Sequence, residues 1–125
     1  VRIIGVNTPE ATITTELYGK EASNYTKEKL TGKTIYLQKD VSDTDKYGRL
    51  LRYAWLEVPN EITKETIAKH MFNAHLLLEG YGQPYTLQPD SKHADIFVEF
   101  ARGAREEEKG LWKINQEGTT KGTDF

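Results

Sequence analysis

The chain has 125 residues, no cysteine and a formal net charge of −2, with 37% hydrophobic and 29% charged residues. That length argues for one globular domain. The lack of cysteine excludes a disulfide framework and thiolate zinc sites. The near-neutral charge excludes a global basic footprint for nucleic acid, so any anion-binding surface has to be local. No apolar run reaches membrane-spanning length, and no membrane partner is expected. A thiol-free chain suits a secreted, extracellular or cell-surface setting. The chain starts directly in a strand pattern without a leader, and an upstream part is expected to be missing.

Arg2–Val6 reads as a strand, because Val1, Ile3, Ile4 and Val6 are β-branched. Asn7-Thr8-Pro9 is turn chemistry, with Pro9 driving Thr8 toward an extended conformation. The strand thus delivers Asn7, the Thr8 carbonyl and the Glu10 carboxylate to its open end, with Arg2 a few residues back. A cation, a carboxylate and oxygen ligands so close together suit chemistry on a phosphate. A strand, a turn and solvated charges are the plainer alternative. A Thr-rich loop follows, then a helix from about Lys20 to Leu30, closed by Gly32. Thr34–Lys39 and Arg49–Leu56 read as an antiparallel hairpin around an Asp-rich turn.

The spacing of Ile67, Met71, Ala74 and Leu78 predicts a second helix from about Thr63 or Glu65 to Glu79, stopped by Gly80. Its first part, Ile62–His70, reads alternatively as a separate turn. A loop then leads to a third helix over Ser91–Lys109, with Ala94, Phe97, Val98, Ala101 and Ala104 facing inward. Leu111 and Trp112 are expected to fold back onto the core. Residues 1–112 form the predicted domain, and the polar residues 113–125 read as a mobile tail. His70, His75 and His93 read as surface or boundary residues, and Trp55 and Phe97 as core rather than base-stacking platforms.

The turn Asp43-Thr44-Asp45-Lys46-Tyr47-Gly48 resembles the start of a calcium loop but fails as an EF-hand. Tyr47 takes the fifth position, and Ala54 stands where a bidentate Glu belongs. The functional alternative is that this turn aims Arg49 at the same end of the sheet as Glu10, where its planar fork of donors suits phosphate oxygens.

Several stretches together resemble the thermonuclease family, the staphylococcal nuclease type. They are Arg2 with Val6-Asn7-Thr8-Pro9-Glu10, Tyr18-Gly19 with Glu21-Ala22, Asp45-Lys46-Tyr47-Gly48-Arg49, Asn73, and Lys109-Gly110-Leu111-Trp112. The resemblance implies an α+β, mainly β fold: an OB-type barrel of five strands with three helices, here lacking its first two strands. It implies hydrolysis of phosphodiester bonds in DNA and RNA with Ca²⁺, leaving 3′-phosphate ends. By position, Glu10 is the implied general base, and Arg2 and Arg49 the phosphate-binding, charge-stabilising groups. Asn7 and the Thr8 carbonyl are the implied metal ligands. Lys46 and Tyr47 are implied to contact a terminal phosphate, and Tyr85 to lie by the nucleotide.

Two departures qualify these expectations. The family has Asp where this chain has Asn7, and its first-strand carboxylate has no counterpart here, so Ca²⁺ binding is expected to be weak. A barrel without two strands exposes sheet edges, which are covered either by upstream sequence or by a second copy in a homodimer. The competing function is a catalytically weakened OB module that binds nucleic acid or protein without cleavage. Asn7 favours that alternative, and the joint presence of Arg2, Glu10 and Arg49 favours the enzyme.

Overall fold

A computed structural model describes residues 1–9, 18–118, 121–122 and 125 of the chain. The predicted first strand is broken in two: β1 is Arg2–Ile3 and β2 is Val6–Asn7. Gly5 is the reason. It turns the chain at φ 78°, and a Cβ there would meet the Phe97 ring at 2.7 Å. After the turn, β2 leaves the first sheet and pairs antiparallel with β5, Gln83–Pro84. The hairpin forms as expected from shorter strands: β3 is Tyr36–Gln38 and β4 is Leu51–Trp55, paired antiparallel. β1 joins the other side of β4 in parallel, with Arg2 opposite Leu51 and Ile3 opposite Arg52. The described residues therefore form a three-stranded sheet, β1-β4-β3, and a separate two-stranded one. They do not close a barrel.

Among the described residues there are five helices where three are predicted. α1 is Gly19–Leu30, close to expectation. The predicted second helix is split into α2, Lys64–His70, and α3, Phe72–Leu78. Met71 between them is extended, at φ −93° and ψ 120°, and wholly buried. The end of β4 captures this point of the chain. Trp55 bridges to Met71, and the Leu56 amide donates to the His70 carbonyl at 2.8 Å. A sheet contact thus overrides a helical apolar period. α2 keeps its own start through a capping box between Thr63 and Thr66.

α4 spans Ala94–Glu106, shorter than Ser91–Lys109, because Glu108 turns at φ 54° and breaks the helix. α5, Leu111–Ile114, then folds Leu111 and Trp112 fully into the interior, as expected. The fold-back needs glycine on both sides. A Cβ on Gly80 would lie 2.2 Å from the Lys109 carbonyl oxygen, and one on Gly110 would lie 2.3 Å from that of Gly80. The close approach lets the Leu111 amide donate to Gly80 at 2.9 Å. Phe125 sits edge-on to Trp112, with Arg105 over its ring.

Trp55 and Phe97 are buried in the core, as expected. His93 is a correction: it is only 5% exposed, with its ring packed against those of Tyr53 and Phe97. Its place at the start of α4 reads as a boundary in sequence, but the loop before the helix folds it inward. His70 and His75 are partly buried.

Asn73 organises the centre. It is wholly buried in α3; its Oδ1 accepts from the Ala54 amide at 2.8 Å and its Nδ2 donates to the Ile4 carbonyl at 2.9 Å. One side chain thus satisfies β4 and the turn after β1 together. Asn73→Leu leaves two buried backbone groups unpaired and is expected to cost about 2–4 kcal/mol, read as a lower urea midpoint. A second outcome follows from His93. Burial, helped by the charge of Lys92 and opposed by Asp40, holds its imidazole below the ordinary value. The unfolded chain therefore takes up the proton first. Stability should be full above the ordinary histidine value and fall as the pH drops through it, by at most about 1.4 kcal/mol per pH unit for this group. Urea titrations across that range should show a shallower acid loss in His93→Leu. His75, which burial also lowers, contributes a loss of the same sign.

Candidate active site

The parallel pairing of β1 and β4 brings the two predicted phosphate-binding arginines to one end of the sheet. Arg2 lies on β1, and Arg49 stands two residues before β4 begins. The Arg2 amide donates to the Leu50 carbonyl at 2.7 Å, which locks this register beside Arg49. The Arg2 guanidinium curls back over the Gly5 turn. It donates to the carbonyls of Ile3 and Val6 at 3.0 and 2.7 Å and to Asn7 Oδ1 at 3.1 Å. Burial lowers its pKa, and the nearby positive charge of Arg49 lowers it further; Asp45 and Tyr85 oppose the shift. Two like charges are thus held at one place, one of them partly desolvated. That arrangement favours an anion between them.

Arg49 is held from the turn itself. Asp45 Oδ1 accepts from the amides of Tyr47 and Arg49, each at 2.9 Å, and its Oδ2 accepts from Arg49 Nε at 2.7 Å. These bonds outweigh the opposing effect of desolvation and keep the Asp45 carboxyl below its ordinary value. The contact uses Nε and leaves the outer nitrogens of the fork directed elsewhere, on a side chain 52% exposed. The Asp-rich turn is therefore a brace for an arginine, not a calcium loop. Sequence reading missed Asp45 in this role, although its place four residues before Arg49 in a tight turn is the signal for it.

A cleft of about 450 Å³ joins Arg2, Arg49, Asn7 and Thr8 to the side of α1 that carries Ser23, Thr26 and Lys27. Asn7 and Thr8 thus line the same cleft as the two arginines. Asn7 is already engaged: its Nδ2 donates to the Lys121 carbonyl at 3.1 Å, while its Oδ1 takes the bond from Arg2. Lys46 and Tyr47 lie on the exposed turn. The Tyr47 ring has Lys46 Nζ at 5.1 Å and the Arg49 guanidinium carbon at 5.4 Å. Tyr85 is tied to the Gly5 turn through its amide, at 2.9 Å from the Gly5 carbonyl, and shares a small cavity with Arg2 and Leu51. Glu10 lies outside the described residues; Pro9 before it lines the cleft. Among the described residues no three His, Cys, Asp or Glu side chains gather as a metal cage. No helix among them is long and apolar enough to cross a membrane.

Residues 1–114 match the family model described as staphylococcal nuclease homologue. The chain is 34% identical over 115 residues to a thermonuclease of Staphylococcus hyicus, covering 90% of this chain and 62% of that protein. It is 34% identical over 116 residues to a thermonuclease of Staphylococcus intermedius, with the same coverage of both chains. It is 30% identical over 127 residues to the SPbeta prophage-derived endonuclease YokF of Bacillus subtilis, covering 98% of this chain and 39% of that one. The chain thus spans less than two thirds of the length of these relatives.

Proposed function

Because the chain belongs to the staphylococcal nuclease homologue family, we propose that its cleft binds a nucleic-acid phosphodiester and hydrolyses it. The observation that carries this reading is the pairing of a partly buried Arg2 with Arg49 at one mouth of the sheet, where burial first and the charge of Arg49 second lower the Arg2 pKa. An anion relieves that repulsion, and charge building up on a phosphate in the transition state relieves it further. In this reading Arg2 and Arg49 hold the phosphate oxygens and Glu10 draws the proton from the attacking water. Lys46 and Tyr47 take a terminal phosphate, and Tyr85 lies against the nucleotide. DNA and RNA both serve as substrates, and the products carry 3′-phosphates. The setting is extracellular.

The OB-barrel form of the fold belongs to the same reading. An apolar groove of about 450 Å³ runs beside β1, lined by Ile3, Leu30, Ile35, Leu37 and Phe72. Further strands of a barrel, or a second copy of the chain, would cover it.

Cleavage of single-stranded DNA is the direct test. Glu10→Gln keeps the shape and removes the base; Arg49→Lys keeps the charge and removes the fork. Each should lower the rate by about a hundredfold or more. Near-normal rates in both would remove these roles, and no cleavage by the unmodified chain would leave binding without cleavage as the function.

Calcium would be held weakly. The described donors are the Thr8 carbonyl and a neutral amide oxygen that already accepts from the Arg2 guanidinium, and among the described residues no three carboxylate or imidazole groups gather as a cage. They do not make a calcium cage by themselves, since affinity follows ligand charge as well as number. Asn7→Asp should tighten binding. In a calorimetric titration without substrate, tight binding by the unmodified chain, or no gain from Asn7→Asp, would place the metal elsewhere.

A further inference from the structure

Two loops flank Arg2. Residues 39–50 link β3 to β4 and carry Lys46, Tyr47 and Arg49, of which Arg49 lines the cleft; residues 85–93 link β5 to α4 and carry Tyr85, which lines the small cavity beside Arg2. No strand pairing joins one to the other among the described residues. They are joined instead by two carboxylates used reciprocally. Asp90 on the second loop is 5% exposed, and its Oδ1 accepts from the amides of Val41 at 3.0 Å and Ser42 at 2.8 Å on the first. Asp40 on the first loop accepts at Oδ2 from the Lys92 amide on the second, at 3.0 Å, and from the Tyr53 hydroxyl of β4 at 2.6 Å. Each loop offers a charged acceptor to the other's backbone, and such charge-assisted bonds are stronger than neutral ones. Burial pushes the Asp90 carboxyl up, but the Ser42 amide and hydroxyl and the Val41 amide outweigh it and hold it below the ordinary value.

From Ser42 the brace runs on without a break to Arg49. The Leu51 amide donates to the Asp43 carbonyl at 3.0 Å, and Arg52 donates to the same carbonyl and to the Asp43 carboxylate. Thr44 bridges to Leu50, and Asp45 grips Arg49. On the other side, Asp90 lines the small cavity it shares with Arg2 and Tyr85. Moving Val41 and Ser42 therefore moves the arginine turn relative to the fixed Arg2.

The turn has a reason to move. In the free protein Arg49 and Arg2 repel one another, and an exposed turn would lower that repulsion by swinging outward. We propose that Asp90 is a positioning residue: by clamping Val41 and Ser42 it holds the Arg49 turn close to Arg2 and Tyr85 before any anion arrives. This rests on the nuclease reading above. The clamp sets the fraction of free protein that is ready to bind. Losing it weakens apparent affinity by that fraction, whereas the bound, closed form keeps its chemistry.

The test compares Asp90→Ala with Asp90→Asn, which keeps a neutral acceptor oxygen, in the full chain. Amide exchange reads the clamp independently of catalysis. Asp90→Ala should speed exchange at Val41 and Ser42 and leave the amides of α3 and α4 unchanged, and Asp90→Asn should restore most of the protection. In cleavage of a short single-stranded oligodeoxynucleotide, Asp90→Ala should raise KM about tenfold with kcat within about twofold, and Asp90→Asn should recover most of the KM. Titration of the same oligonucleotide against the Arg49 Nε–H resonance should show the same loss of affinity. Unchanged exchange at Val41 and Ser42, faster exchange throughout the core, or unaltered affinity despite a broken clamp would each overturn the proposal. If the unmodified chain cuts nothing, the nuclease reading fails, and weaker oligonucleotide binding by Asp90→Ala still upholds the positioning role.

Discussion

The parallel pairing of β1 with β4 is the constraint on which the rest of the molecule depends. It is a short contact, two residues of register, and would be weak alone. Asn73 makes it firm by accepting a hydrogen bond from an amide of β4 and donating one to the turn after β1, in a site without access to water. A buried side chain that satisfies two backbone groups is costly to replace, so the strands, the turn at Gly5 and α3 behave as one unit. Everything placed at the mouth of the sheet inherits its position from that unit. Arg2 comes from β1, Asn7 from the strand after the turn, and Arg49 from the entry to β4.

Once the register brings two arginines together, the loops must hold them there against their own repulsion. The chain does this with aspartates. Asp45 grips Arg49, Asp43 receives Arg52, and Asp40 and Asp90 tie the two loops to each other. An acidic net charge and a local cationic cleft are thus two sides of one design. Asp40, Asp45 and Asp90 act as acceptors for loop backbone, while Arg2 and Arg49 line the cleft. The exposed sites, such as Asp43 with Arg52, add little stability in water. Their effect lies in geometry, by limiting where an exposed turn can go.

The same arrangement bears on a metal. A dication placed at Asn7 and Thr8 would sit beside Arg2, which already takes the Asn7 oxygen. On the proposed reading the cleft would take an anion first, and a cation would become favourable once a phosphate, or the carboxylate of Glu10, supplied negative charge.

The sequence by itself determined the family, the mixed α and β character, the hairpin of β3 and β4, α1, and the grouping of Arg2, Asn7, Thr8 and Arg49. Each follows from local chemistry: alternating apolar residues, turn residues at fixed offsets, and two short motifs found in order. It did not determine the break at Met71, because a helical apolar period there is real, and only the end of β4 reaching across turns it into an extended bridge. Nor did it reveal that Gly5 splits the first strand, since the need for glycine comes from the Phe97 ring arriving from α4, far along the chain. His93 reads as a boundary residue until the loop before α4 folds it under Tyr53. Asp90 reads as one loop aspartate among many until Val41 and Ser42 are brought against it. Local patterns write the elements and name the reactive groups. Which groups stay buried, and which carboxylate restrains which arginine, is decided by contacts between residues tens of positions apart, which only the packed chain creates.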